Sequence, residues 1–379
     1  MKKKIIIFTS EGGGGHLSVS NAIKGLCEQQ YHVETPFLLS DILRSVDPMK
    51  SLTLNMINSE SWYNVLLKRQ HIALANMFSS IGLVYFKFRK KKIISLLDSY
   101  IQQTRPDCIV SVAPIFNAHI LAVAEKYTIP FIIVPTDLNM GLFVNGLVKP
   151  TYPKLRITHP FADPMIVSQL INKQIHPELC VSTGYPIRPA FTAPSSRFGL
   201  KDELGIPREL PCVTLLMGAQ GSSKIITFFN ELITLKTPVH LVICLGRNEA
   251  LRQTLNQIPV PKHIKLTLFG FTDRMHDILA MTDILITKSG SSSVSEAIAT
   301  NTPMILDGTG PVLSWERLNH DFIQKNGLGI SLKDIRLVAP TIEEWLTTGK
   351  HQSIRATLEQ MPKMNGSIEV SRLIDQILQ

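Results

Sequence analysis

Two segments, starting at Lys4 and at Cys212 and so about 210 residues apart, follow one plan, and this repetition limits the folds open to the chain. In the first, the apolar run Lys4-Ile-Ile-Ile-Phe8 leads into Gly12-Gly13-Gly14-Gly15 and then a stretch with helical spacing through Ala22, Ile23 and Leu26. In the second, Cys212-Val-Thr-Leu-Leu-Met217 leads into Gly218-Ala-Gln220-Gly221-Ser222-Ser223 and a periodic stretch through Ile225, Ile226, Phe229, Leu232 and Ile233. Each reads as buried strand, glycine turn and helix. Further apolar runs at 108–113 and 131–135, then at 240–245, 264–269 and 284–287, alternate with helical stretches. Continuous apolar strands separated by helices belong to parallel sheets covered on both faces. The expected class is α/β, with two Rossmann-like domains.

A chain of 379 residues is longer than one hydrophobic core usually organises. The expected bounds are a first domain over 1–190, a linker rich in Pro and Ser over 191–210, a second domain over 211–345 and a helical tail over 346–379. Residues 1–190 hold 20 Lys+Arg against 12 Asp+Glu, a balance of +8, which leaves +1 of the total +9 for the remainder. A one-sided basic surface suits an anionic membrane, a phosphorylated acceptor or nucleic acid. The charge lies beside aromatic and aliphatic residues, with no recognisable nucleic-acid-reading motif, so no nucleic-acid partner is expected.

Five cysteines (27, 108, 180, 212 and 244) stand singly, which argues for a reducing compartment and against a disulfide framework or a zinc site. The start Met1-Lys-Lys-Lys4 is followed by only four apolar residues before polar sequence, too few for a signal peptide. No run of about 18 apolar residues occurs. The expected location is cytoplasmic, with peripheral attachment to the inner face of the cell membrane.

Gly13, Gly14 and Gly15 let backbone approach a ligand, and the helix start behind them offers free N–H groups. His16 there is either a general base with a pKa near working pH or a helix cap that happens to be histidine. Asp137 follows the run at 131–135, at the strand end where open α/β sheets bind ligands. It either orients His16 or contacts an acceptor hydroxyl, or is a turn aspartate after Pro135. Gly218, Gln220, Gly221 and Ser222 can surround a phosphate with N–H groups and hydroxyls. Ser289, Gly290, Ser291, Ser292 and Ser293 end one strand and open a helix, and two such loops in one domain favour a nucleotide diphosphate. Glu296, a turn further on, suits the two hydroxyls of a ribose. The stretch from Trp62 to Lys92 interleaves aromatics and aliphatics with Lys68, Arg69, Lys87 and Arg89–Lys92. It is either an interfacial membrane helix or a core helix with a solvated basic end.

Taken together, these motifs resemble glycosyltransferase family 28 over about residues 4–330. That family includes the monogalactosyldiacylglycerol synthases, the processive diacylglycerol glucosyltransferases and the peptidoglycan lipid N-acetylglucosaminyltransferase. Ser10-Glu-Gly-Gly-Gly-Gly-His16 is similar to its acceptor-side loop and histidine, Thr136-Asp137 to its Thr-Asp, and Thr183-Gly-Tyr-Pro-Ile-Arg-Pro189 to its Gly-x-Pro connection. Met217–Ser222 resembles the donor-side loop, and Cys244-Leu-Gly-Arg247-Asn248 the Cys-Gly-Arg-Asn segment. Gly270-Phe271-Thr272-Asp-Arg-Met275 resembles the segment that meets uracil, and Asp283–Gly290 with Glu296 the nucleotide signature. Glu316 and Asn319 fall where the family has Gln-Glu-x-x-Asn beside the donor sugar.

The chain departs from the pattern in having Ser291-Ser-Ser293 for Pro-Gly-Thr and Trp315 for the Gln. The resemblance implies a GT-B fold with the two domains facing across a cleft. It also implies an inverting hexosyl transfer from a UDP-sugar to a lipid acceptor, diacylglycerol first, with His16 as base and neither metal nor cofactor. N-acetylglucosaminyl transfer to an undecaprenyl-linked peptidoglycan intermediate and an inactive nucleotide-sugar sensor or scaffold are the alternatives.

Overall fold

The computed structural model describes every residue except Met1, Gly13, Leu54, Asn55, Gln70, Ala193–Ser195 and Ala219–Gly221. The chain forms two compact units. The first comprises Met1–Pro189, Leu313–Trp315 and Met364–Gln379; the second comprises Ala190–Val312 and Glu316–Lys363. The last segment therefore joins the first unit, while residues 190–210 join the second.

In the first unit, β1 (Lys4–Phe8), β2 (His32–Glu34), β3 (Cys108–Ser111), β4 (Phe131–Ile133), β5 (Leu155–His159) and β6 (Cys180–Ser182) form a parallel sheet in the order β2-β1-β3-β4-β5-β6. Ile5, Ile6, Ile7 and Phe8 are wholly buried, which is why β1 needs no polar face. Its partners on β3 run from Ile5 opposite Cys108 to Phe8 opposite Ser111. Helix Gly15–Cys27 follows β1 and buries Val19, Ala22, Ile23 and Cys27, one stripe at helical spacing.

Against it packs the C-terminal helix Gly366–Leu378. The chain enters that helix through a close crossing. A Cβ on Gly366 would stand 2.3 Å from the Gly184 carbonyl oxygen, so the backbones meet where no side chain fits. Gly184 itself has φ +79°, a left-handed conformation that favours glycine.

In the second unit, β7 (Cys212–Leu216), β8 (Val239–Cys244), β9 (Ile264–Phe269), β10 (Ile284–Thr287), β11 (Met304–Asp307) and β12 (Gly329–Leu332) form a parallel sheet in the order β12-β11-β10-β7-β8-β9. In both sheets the strand order reverses beside the first strand, between β1 and β3 and between β7 and β10. At such a switch point the loops leaving two neighbouring strands diverge to opposite faces and leave a crevice at the carboxyl edge.

The stretch 62–92, expected as one helical surface, instead spans three helices: Ser59–Lys68, Ile72–Phe88 and Lys90–Thr104. Packing decides the break. Leu66 and Ala75, from the first two helices, share a cluster with Leu313, flanked by Tyr63, Ile72, Phe78 and Trp315, and the chain must fold back to bring them together. On helix Ile72–Phe88 the apolar residues Leu74, Met77, Ile81, Val84 and Phe88 recur every three or four residues, and all are exposed. The apolar stripe of this helix therefore faces outward, and exposed Lys87 and Arg89–Lys92 gather at its end. Among the described residues no helix is long and apolar enough to cross a membrane.

Candidate active site

In the first unit the chain leaves β1 through Thr9 and Ser10 and enters helix Gly15–Cys27, so His16 stands at the carboxyl edge by the switch point. Its Nδ1 lies 2.9 Å from the carbonyl oxygen of Val112, just beyond β3, and 2.8 Å from the Thr136 hydroxyl, just beyond β4. A carbonyl can only accept, so Nδ1 carries the proton and Nε2 keeps its lone pair. The Tyr185 hydroxyl donates to the Thr136 carbonyl (2.7 Å) and fixes that residue in turn.

Val112 and Thr136 thus hold the ring at Nδ1. One expectation is corrected here: the His16 pKa is not near working pH. Burial drives it down to about 4, with the Val112 hydrogen bond opposing part of that shift.

The glycine loop is held from beneath. Ser10 Oγ donates to Glu60 (2.5 Å) and accepts from the Gly12 N–H (3.1 Å), while Asn64 donates to the Glu11 carbonyl (2.8 Å). Burial raises the Glu60 pKa, and the Ser10 hydrogen bond opposes it. A Cβ on Gly14 would meet no atom within 4 Å, so the loop keeps open space at its tip. Gly15 is the first helical residue. Gly13 lies outside the described residues.

In the second unit two loops leave the paired strands β7 and β10, whose register sets Thr287 opposite Leu216. The first turns at Gly218, which has φ +86°, and reaches helix Lys224–Leu232. There Ser222 Oγ accepts from the Lys224 N–H (3.2 Å). Gln220 and Gly221 lie outside the described residues. The second loop runs through Lys288 and Ser289 to Gly290, which caps helix Ser291–Ala299 without a side-chain cap bond. Its first-turn N–H groups are those a capping side chain would otherwise satisfy.

Not every expected donor contact faces outward. Ser289, Ser291 and Asn319 are buried. The Ser289 hydroxyl donates to Glu316 (3.1 Å), and Asn319 donates to the Ser289 carbonyl and to Ser291 Oγ (3.0 Å). These three side chains form the floor of the loop and hold its shape. Ser292, Ser293 and Glu296 lie above that floor, half-buried.

At the end of β9 the exposed Phe271 ring has the Arg247 guanidinium stacked over it at 4.3 Å. Thr272 Oγ1 accepts from the Arg274 N–H (3.1 Å), and Met275 opens helix Met275–Met281. Several neighbours were missed in the sequence. Lys224 donates to Asp307 (2.6 Å) with Thr309 beside it, at the end of β11, a strand with only three apolar residues before its aspartate. Thr136 was passed over for its charged neighbour, although a hydroxyl in the Thr-Asp pair was the available signal. Among the described residues no group of three His, Cys, Asp or Glu side chains stands ready to hold a metal.

Two such parallel sheets, each with its loops at a switch point, define a GT-B fold, and comparison with solved structures agrees. The crystal structure of Acinetobacter baumannii MurG superposes with a TM-score of 0.63 at 15% identity, over 99% of this chain and 100% of that one. Residues 212–377 match the glycosyltransferase family 28 C-terminal domain.

Among the relatives, the processive diacylglycerol beta-glucosyltransferase of Bacillus pumilus (strain SAFR-032) is 25% identical over 335 residues, 86% of this chain and 82% of the relative. The probable monogalactosyldiacylglycerol synthase 2, chloroplastic, of Oryza sativa subsp. indica is 25% identical over 380 residues, 95% of this chain and 77% of the relative. The expectation of a glycosyltransferase with glycolipid-synthesising relatives is met.

Proposed function

We propose that the protein transfers a hexose from a UDP-sugar to diacylglycerol at an anionic, cytoplasm-facing membrane surface, with inversion at the anomeric carbon. The observation that carries this reading is His16, held as the Nδ1–H tautomer with its Nε2 lone pair unprotonated. In the transfer, the acceptor oxygen bonds to C1 while the bond from C1 to the diphosphate oxygen breaks, its electron pair leaving with UDP. The acceptor proton goes to His16 Nε2. The second unit holds the donor. Gly218, Ser222, Gly290, Ser292 and Ser293 surround the diphosphate, Arg247, Phe271, Thr272 and Met275 flank the base, Glu296 binds the ribose, and Glu316 meets the sugar.

The lipid acceptor is supported by the relatives' own substrates and by the outward apolar stripe with its basic end on helix Ile72–Phe88. An exposed stripe of that kind, next to lysines and arginines, suits an interface of acyl chains and anionic headgroups.

The test is UDP release by the purified protein with diacylglycerol liposomes and, in turn, UDP-glucose, UDP-galactose and UDP-N-acetylglucosamine, beside Glu296→Ala. Release that requires one donor and the lipid, with UDP affinity reduced roughly tenfold or more in Glu296→Ala as expected for a lost charge-assisted pair, supports the reading. Release only with an undecaprenyl-linked acceptor would replace diacylglycerol. UDP binding without turnover on either acceptor would leave a sensor. Turnover is also expected to persist unchanged in excess EDTA, since His16 and the two loops supply base and anion stabilisation. Activity lost in EDTA and restored by Mn²⁺ would contradict this.

A further inference from the structure

Residues 12–15 are four glycines in a row, so the turn between β1 and His16 has no side chains of its own to fix it. Its anchors are Ser10 and Glu11, and helix Ser59–Lys68 holds both. The Ser10 hydroxyl gives its one proton to Glu60 Oε1 and takes the Gly12 N–H on a lone pair. A Cβ on Gly12 would stand 3.2 Å from that hydroxyl oxygen and 3.8 Å from Tyr63 Cδ1. The bare glycine therefore lets the turn settle on the hydroxyl, beside the Tyr63 ring.

Glu60 and Asn64 stand one turn apart on the same face of the helix. Asn64 donates to the Glu11 carbonyl, and Glu60 accepts from the Glu11 N–H. The N-cap Asn58 donates to the Glu11 carboxylate (3.3 Å). The helix is itself pinned at its start, where wholly buried Asp47 accepts from the Ser59 N–H (3.0 Å) and Ser59 Oγ (2.6 Å). An acid in the first turn of a helix ordinarily serves the dipole of that helix. Glu60 instead turns both oxygens to other segments, Oε1 to the glycine turn and Oε2 to the Ser40 hydroxyl (3.3 Å). A carboxylate drawn out of water needs such donors, and most of them come from the segment that leads to His16.

We propose that Glu60 is a positioning residue for the transfer, which acts through Ser10 and the Glu11 N–H to set the glycine turn in the shape that receives the acceptor. This deepens the transfer reading above and rests on it. The turn runs straight into helix Gly15–Cys27, so its shape also sets where an acceptor hydroxyl meets His16. A misplacement of about 1 Å costs on the order of 10²-fold in rate.

The experiment is a double-mutant cycle on the full chain with Glu60→Ala, Ser10→Ala and the pair, beside Glu60→Gln. Each variant is measured for kinetics on diacylglycerol liposomes, for UDP affinity, and for amide exchange over residues 9–15 by mass spectrometry. In Glu60→Ala, kcat/KM for the acceptor is expected to fall about 10- to 100-fold. Exchange in the turn should quicken about tenfold or more while β3 and β4 keep their protection, and UDP affinity should stay unchanged. The pair should be no worse than the poorer single variant, because both changes break one connection. Glu60→Gln should recover most of the loss, since its amide oxygen still accepts from Ser10 and its N–H can donate to Ser40.

Wild-type acceptor kinetics in Glu60→Ala would overturn the proposal. So would independent, additive losses in the pair, or exchange that quickens across the whole first sheet, which would make Glu60 a support of the fold alone. Should Glu60→Ala fail to fold, Ser10→Ala carries the same test, and unchanged acceptor kinetics there would overturn the proposal. A wild type that transfers no sugar would instead overturn the transfer reading, and this role for Glu60 with it.

Discussion

Replacing His16 with alanine is expected to lower kcat by about 10²–10⁴, the usual span for removing a general base, while leaving UDP affinity unchanged. The geometry gives the reason. Val112 and Thr136 both engage Nδ1, so Nε2 is the nitrogen available to an acceptor hydroxyl. Substitution removes that lone pair, and the donor loops belong to the second unit.

The pH dependence follows with its sign. Only neutral imidazole can take a proton, and burial holds the His16 pKa at about 4. The acidic limb of kcat/KM is therefore expected to fall through about 4 instead of 6.5, with no loss between pH 6.5 and 5. The same shift bears on folding. Between about 6.5 and 4 the unfolded chain binds a proton that the folded ring refuses, so this residue's contribution to stability is lost as pH falls through that window. A near-normal kcat for His16→Ala, or an acidic limb at 6.5, would remove His16 from the base role.

Asp283→Ala is expected to destabilise the second unit by about 3–5 kcal/mol, the range for leaving a buried charge unpaired. Asp283 sits just before β10, at the edge of the sheet opposite the ligand loops. Its carboxylate accepts from the Arg197 guanidinium and the Cys212 N–H (2.8 Å), with Lys201 Nζ at 3.6 Å and Arg355 at 4.0 Å. Lys201 is 1% exposed, and burial pulls the Arg355 pKa down to about 10.

Alanine would leave three cations facing one another around an empty acceptor site, whereas Asp283→Asn keeps the bond to Cys212 and should cost less. Urea unfolding of the two variants beside wild type measures the difference. A change under about 1 kcal/mol for alanine would show that water already screens the cluster. Folded Asp283→Ala should keep its UDP affinity, because the group supports the sheet from the far end.

The long central strands were legible in the sequence. β1, β9 and β10 run over the expected bounds, and β3, β4, β7 and β8 start or end within two residues of theirs. Each is a run of residues buried on both faces, a pattern that needs no context. The strands β2, β5 and β6 were not legible, being short or mixed with polar residues such as His32, Glu34 and Arg156, so their strand form comes from pairing with a neighbour. β11 and β12 are short as well, and the Lys224–Asp307 pair went unseen with them.

By itself, then, the sequence determined the α/β class, the two glycine-loop units and the place of His16, because buried strands, glycine turns and helix starts are local and leave local marks. Tertiary structure alone decided which groups hold that histidine at Nδ1, which side chains form the floor of the second loop, and where the basic stretch folds back. Those outcomes depend on groups distant in the chain, as Val112 is from His16 and Asn319 from Ser289, and on which faces remain open after packing.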